Sequence, residues 1–141
     1  MVKIELKKLF KHYINMKKIF IYLLFLFSPI ISFADGHLTE DQKKKTIECA
    51  GIYYANSMIP QAELELDKIV HSFAAKKFLS TYLVKEGVNE DILNKELIKV
   101  VDVRYGKPYE EKTTKECDNF IYKQISGSKG EIKKIAESGI Y

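Results

Sequence analysis

The chain has 141 residues, a net charge of +4, two cysteines and no tryptophan. A basic balance hints at nucleic acid or an anionic membrane surface, but here the charge is unevenly placed. Residues 1–34 carry Lys3, Lys7, Lys8, Lys11, Lys17 and Lys18 against Glu5 alone, a surplus of +5 that leaves −1 for residues 35–141 and excludes a strongly basic mature domain.

Read from Met16, the chain gives Lys17-Lys18, the apolar run Ile19 to Phe27, then Ser28-Pro29 and Ser32-Phe33-Ala34 before Asp35-Gly36. A positive start, a short apolar stretch and small residues at the peptidase-contacting positions predict a signal peptide over 1–34, started at Met16 and cleaved after Ala34. Residues 1–15 read as an upstream start-codon extension or a long n-region, with no structural role expected. The competing reading is a membrane anchor, but Ile19 to Ala34 spans 16 residues interrupted by Ser28, Pro29 and Ser32, whereas a spanning helix needs about 20 apolar residues. Membrane contact is therefore expected only through the transient leader, and the rest of the chain is expected in the periplasm or secreted.

The apolar residues of 35–141 recur at helical spacing, without repeats or low-complexity tracts. The expectation is one all-α domain, a bundle of four to five helices. Helix one begins at Thr39, where Thr39-Glu40-Asp41-Gln42 has the form of a capping box, and it ends near Ser57, ahead of Pro60. Ile47, Ala50, Tyr54 and Met58 share one side, with Gly51 and Ala55 beside them and Cys49 and Tyr53 on the flank.

Helix two is predicted from Pro60 to about Glu86, stopped by Gly87. Its stripe of Ala62, Leu66, Ile69, Val70 and Phe73 faces one way, whereas Phe78, Leu79, Tyr82 and Leu83 face the other. Such a helix bends, breaks near Lys76-Lys77, or lies between other elements. Helix three starts at Asn89, stapled by Val88 and Leu93, presents Leu93, Leu97, Val100 and Val101, and ends at Tyr105-Gly106-Lys107-Pro108.

Helix four, about 109–125, is expected to bury Thr113, Cys117, Phe120, Ile121 and Ile125. A Ser/Gly linker near 126–130 then leads to a short C-terminal helix or a frayed tail. Cys49 and Cys117, far apart in an exported chain, read as a disulfide joining the first and last main helices. Neither sits in a C-x-x-C motif, which weakens a redox-active or metal-binding reading.

Few residues point to chemistry. Glu63, Asp67 and His71, spaced four apart, would line one edge of helix two as a candidate metal row, although no partner ligands appear on another helix. The only other histidine of 35–141 is His37, and no nucleophile elbow, phosphate-cradling loop or haem-attachment motif is present, so neither a cofactor nor catalysis is expected. The lysine runs Lys43-Lys44-Lys45, Lys76-Lys77 and Lys133-Lys134 are diluted by acids and read as solvated faces rather than nucleic-acid contacts.

Tyr53, Tyr105, Tyr109 and Tyr122 fall off the main stripes or at helix ends, which makes them candidates for an interaction surface. Together these features describe an exported, non-catalytic helical module that binds another envelope or extracellular protein. A small-ligand or metal carrier is the first alternative, requiring a cavity of roughly 300 Å³ or more, and an enzyme of unfamiliar type is the second.

Overall fold

The computed structural model describes residues 37–139, which form five helices and no strand: α1 (Glu40–Ser57), α2 (Leu66–Lys85), α3 (Glu90–Arg104), α4 (Glu111–Gln124) and α5 (Ser128–Glu137). The leader assigned to 1–34, with its start and cleavage positions, lies outside the described residues. The all-α architecture and the bridge between α1 and α4 agree with the sequence reading.

Helix α1 opens on the expected capping box. The Gln42 backbone N–H donates to Thr39 Oγ1 at 3.2 Å, and the Thr39 N–H donates to Gln42 Oε1 at 2.8 Å, which satisfies two otherwise orphaned donors. Just upstream, the Leu38 N–H donates to Glu86 Oε2 at 3.1 Å, and the buried Leu38 side chain joins the core. That contact ties the beginning of the described chain to the end of α2.

The middle of α1 is enclosed on nearly every side. Cys49, Ala50, Gly51, Ile52, Tyr53, Ala55 and Asn56 are all buried, and only Tyr54 among residues 49–56 keeps partial exposure. A helix buried all round belongs at the centre, and α1 is indeed flanked by α2, α3 and α4. Contacts fix the directions: Leu38 to Glu86 and Tyr54 to Lys76 make α2 antiparallel to α1, and Gln42 to Gln124 and Asn56 to Thr114 do the same for α4.

Gly51 lets α3 come close. A Cβ built there would lie 2.5 Å from Val100 Cβ, so the hydrogen at this position permits a helix approach that no side chain would.

Helix α2 starts at Leu66, a correction to the expected start at Pro60. The Glu63 and Leu64 N–H groups both donate to the Pro60 carbonyl, closing a separate turn, and the buried Leu64 draws the chain inward. Glu65 then adopts an extended ψ of 138° before the helix proper begins. From there α2 runs unbroken through Lys76-Lys77, which corrects the alternative of two helices; its two apolar faces exist because it lies between α1 and α5.

The innermost residues of α2 are Ser72, Ala74, Ala75, Leu79 and Leu83. The expected stripe sits further out, with Ala62 and Leu66 exposed and Ile69, Val70 and Phe73 half-buried. The buried set combines the small Ser72, Ala74 and Ala75 in the first half of α2 with the expected Leu79 and Leu83 in the second, so small side chains as well as large apolar ones fill the packed interior.

Helix α3 follows the sequence reading. The Asn89 side chain accepts from the Asp91 and Ile92 N–H groups at 3.0 and 3.1 Å, and Leu93, Leu97 and Val101 are buried. Helix α4 buries Thr114, Cys117 and Ile121, followed by Ile125. Thr113, expected inside, is half-buried and donates to Glu110 at 2.8 Å; its neighbour Thr114 takes the inner place.

The Ser/Gly linker is shorter than expected. Gly127, at φ 77°, makes a tight left-handed turn, and Ser128 to Gly130 already belong to α5. Ile132 is buried and the Ser128 hydroxyl donates to the Ile121 carbonyl at 3.3 Å. The C-terminal helix therefore docks.

The bridge itself joins Cys49 to Cys117 with a Cα–Cα separation of 5.5 Å, and both residues are at most 1% exposed. That spacing falls within the usual range for a disulfide. By closing 68 positions of chain, it stabilises the fold by roughly 4 kcal/mol on the chain-entropy account.

Gly51→Ala should lower stability despite its better helix propensity. Overpacking against Val100 costs about 1–3 kcal/mol and the propensity gain returns up to about 1 kcal/mol, so the net loss should be on the order of 1–2 kcal/mol by urea unfolding. In a Val100→Gly background, which removes the Cβ as well as both methyl groups, the penalty should largely disappear; an equal penalty in both backgrounds would refute the close approach.

Candidate functional site

The most distinctive polar arrangement surrounds Asp118, a residue the sequence reading does not single out. Tyr53 on α1 donates its hydroxyl to Asp118 Oδ1 at 2.6 Å, and His71 Nε2 on α2 meets the same oxygen at 2.9 Å. Tyr122, one turn further along α4, also hydrogen-bonds the carboxylate. The Tyr53 and His71 rings meet edge-on, with centroids 5.9 Å apart. Three helices thus converge on one carboxylate.

The bridge explains the convergence. Asp118 follows Cys117 directly and Tyr53 lies one turn after Cys49, so joining the sulfurs brings the phenol and carboxylate into register. The pairing of Cys49 with Cys117, combined with the four-residue spacing from 49 to 53, was the signal in the sequence that could have found it.

The electrostatics follow from partial burial. Desolvation alone would raise the Asp118 carboxyl, but hydrogen bonds from His71 and Tyr53, together with the charge of His71, outweigh it and hold the group below its ordinary value. Burial, then the adjacent carboxylate, pushes Tyr53 far above the usual phenol range and Tyr122 up to about 12. Tyr53 and Tyr122 therefore remain neutral donors, and Asp118 remains their charged acceptor.

The candidate metal row does not assemble, which corrects the expectation that Glu63, Asp67 and His71 share one helix edge. Glu63 lies in the turn before α2, Asp67 is exposed in the first turn, and His71 is directed to Asp118. Among the described residues, no group of three or more histidine, cysteine, aspartate or glutamate side chains is placed to hold a metal ion.

The four candidate tyrosines separate by environment. Tyr53 is fully buried, which corrects its assignment to a surface. Tyr109 is half-buried beneath the Lys68 ammonium at 5.3 Å, and Tyr122 lies 5.8 Å from that of Lys129. Only Tyr105, 74% exposed, stands free on the surface.

Tyr105 borders an open cleft of about 270 Å³ between the C-terminal ends of α1 and α3, whose walls include Met58, Ile59, Pro60, Glu63 and Arg104. Arg104 also belongs to a neighbouring depression of about 280 Å³ lined by Ile52, Glu96, Lys99, Val100 and Val103. The two depressions have Arg104 in common. Met58 at 42% and Val103 at 66% exposure leave apolar surface along them, and the Arg104 guanidinium is held by Glu110 at 3.0 Å.

The lysine runs carry paired charges. Lys43 binds Glu40 at 3.0 Å, Lys45 binds Glu48 at 2.9 Å, and Lys133 and Lys134 meet Glu137 and Glu131 at 3.6 and 2.7 Å. Lys76 sits 4.7 Å from the Tyr54 ring centroid. Comparison with protein-family models, curated proteins and solved structures found no match for the chain.

Because the folded Asp118 carboxyl titrates below its unfolded value, its stabilising contribution is present above the unfolded pKa of about 3.9 and is lost as the pH falls through the lower folded value. In thermal melts, wild type should exceed Asp118→Asn clearly at pH 5, and the gap should narrow well below pH 4. A gap that does not change over that range would contradict the assigned network.

Proposed function

We propose that the chain is exported and acts outside the cytoplasm as a non-catalytic interaction module, with the groove between α1 and α3 as its docking face for another envelope or extracellular protein. The observation that carries this reading is the exposed apolar rim of Met58, Val103 and Tyr105 around a groove, the other three candidate tyrosines, Tyr53, Tyr109 and Tyr122, having partners within the fold. Aromatic and methionine side chains on a rigid frame favour recognition, because little conformational freedom is lost on binding.

Export is supported by the leader pattern in residues 16–34 and by the bridge, which persists in oxidising compartments. No helix among the described residues is long and apolar enough to cross a membrane. The charge of −1 on residues 35–141 and the paired lysines argue against nucleic acid as the partner. Both depressions fall just below the roughly 300 Å³ typical of small-molecule pockets, so a protein surface is preferred over a small ligand.

Two measurements test the proposal. Amino-terminal sequencing of the protein recovered from its native host should begin at Asp35; recovery of an intact leader in the cytoplasmic fraction would contradict export. A photo-crosslinking side chain at position 105 should label one protein in living cells. That label should be absent with the probe at position 129 and lost when Met58→Ser/Val103→Ser is combined with the probe at 105, whereas equal labelling from both positions would rule out the groove.

A further inference from the structure

We propose that two copies of this chain pair through α3, running antiparallel, along the line of Ile92, Glu96, Lys99 and Val103. These residues recur at intervals of four, three and four, so they form one stripe of the helix. Helix α3 packs on α1 and on no other helix to a comparable extent. Its buried side chains are Leu93, Leu97 and Val101, which leaves the stripe outside. Ile92 is 58% and Val103 66% exposed, far more than branched aliphatic side chains in a packed seam, and Glu96 and Lys99 between them are open to solvent.

The stripe is complementary to itself in a single arrangement. A two-fold axis passing between Leu97 and Ile98 sets Ile92 against Val103 of the second copy and Glu96 against Lys99 of the second copy, because each pair is placed symmetrically about that point. A parallel pair in register would oppose Glu96 to Glu96 and Lys99 to Lys99. An antiparallel pair displaced by seven residues would oppose Ile92 to Glu96 or Lys99 to Val103. Charge therefore selects both direction and register, and the antiparallel arrangement also opposes the two helix dipoles. Within each copy Lys99 already donates to Glu96 at 2.6 Å, so pairing joins the four groups into a ring of alternating sign. Exposed ion pairs are individually weak, and the affinity comes from the aliphatic contacts at either end.

The depression beside Val103 supplies a socket for those contacts. Ile52, Val100 and Val103 form its apolar wall, and Glu96 and Lys99 stand at its edge. Ile92 of the second copy arrives opposite Val103, at the mouth of this depression, and the two-fold axis fills both sockets at once. Met58 and Tyr105 border the other cleft, outside the stripe. The pair therefore leaves that cleft open to another protein and does not depend on docking there.

Sedimentation equilibrium of the purified, disulfide-bonded protein over a range of concentrations tests the pairing and should resolve a reversible dimer. Glu96→Lys and Lys99→Glu should each weaken it on the order of tenfold. An equimolar mixture of those two variants should pair again, since two lysines of one copy then face two glutamates of the other. Ile92→Glu should weaken the dimer on the order of a hundredfold, whereas Ile98→Glu, exposed on the same helix but off the stripe, should leave it unchanged. In cells, Ile92→Glu should preserve the label from a probe at position 105, which separates loss of the pair from loss of the docking face. A monomer at every concentration, a dimer indifferent to Glu96→Lys, no recovery in the mixture, or equal loss from Ile98→Glu would each overturn the proposal.

Discussion

The bond between Cys49 and Cys117 joins α1, the most enclosed of the described helices, to α4 on its flank. Helix α1 also packs between α2 and α3, the latter admitted closely by Gly51 on α1 itself. Helix α4 is seated by Ile121, Ile125 and the half-buried Phe120 and Tyr122, and the bridge adds a covalent tie whose entropic effect, roughly 4 kcal/mol, is a large part of the 5–15 kcal/mol that separates folded from unfolded domains. The register set by that tie then decides which polar groups meet, and Asp118 receives Tyr53, His71 and Tyr122 as a consequence.

The division of polar residues follows from the same geometry. Groups that converge inside, around Asp118 and between Asn56 and Thr114, satisfy one another and fix three helices in register. Among them both sulfurs are bonded to each other, and the Tyr53 and Tyr122 phenols share a single carboxylate. Exposed apolar side chains are spread over α1, α2 and α3, and Met58, Val103 and Tyr105 among them border the depressions at the C-terminal ends of α1 and α3.

Helix starts with chemical markers were legible in the sequence. Thr39 with Gln42 and Asn89 with its staple announced α1 and α3, because capping leaves a local pattern that tertiary packing does not override. The disulfide was legible from compartment and count. What the sequence obscured was decided by packing: Pro60 suggested a start that the Leu64 turn postpones, and the inner face of the first half of α2 is set by serine and alanine, which hydropathy patterns rank below leucine and phenylalanine. Tyr53 looked like a flank residue because the sequence does not reveal that α1 is surrounded. Asp118 was unreadable alone, since a carboxylate at that position gains meaning only when a distant phenol and imidazole arrive beside it.

The central claim, that the chain folds outside the reducing interior with its helices tied through sulfur, is tested most directly by trapping thiols in living host cells. Cells are quenched with an alkylating reagent, and the extracted protein is digested without reduction for mass spectrometry. The account predicts a cross-linked pair of peptides containing Cys49 and Cys117 and no alkylation at either position. Recovery of both cysteines alkylated, with the linked pair absent, would contradict it.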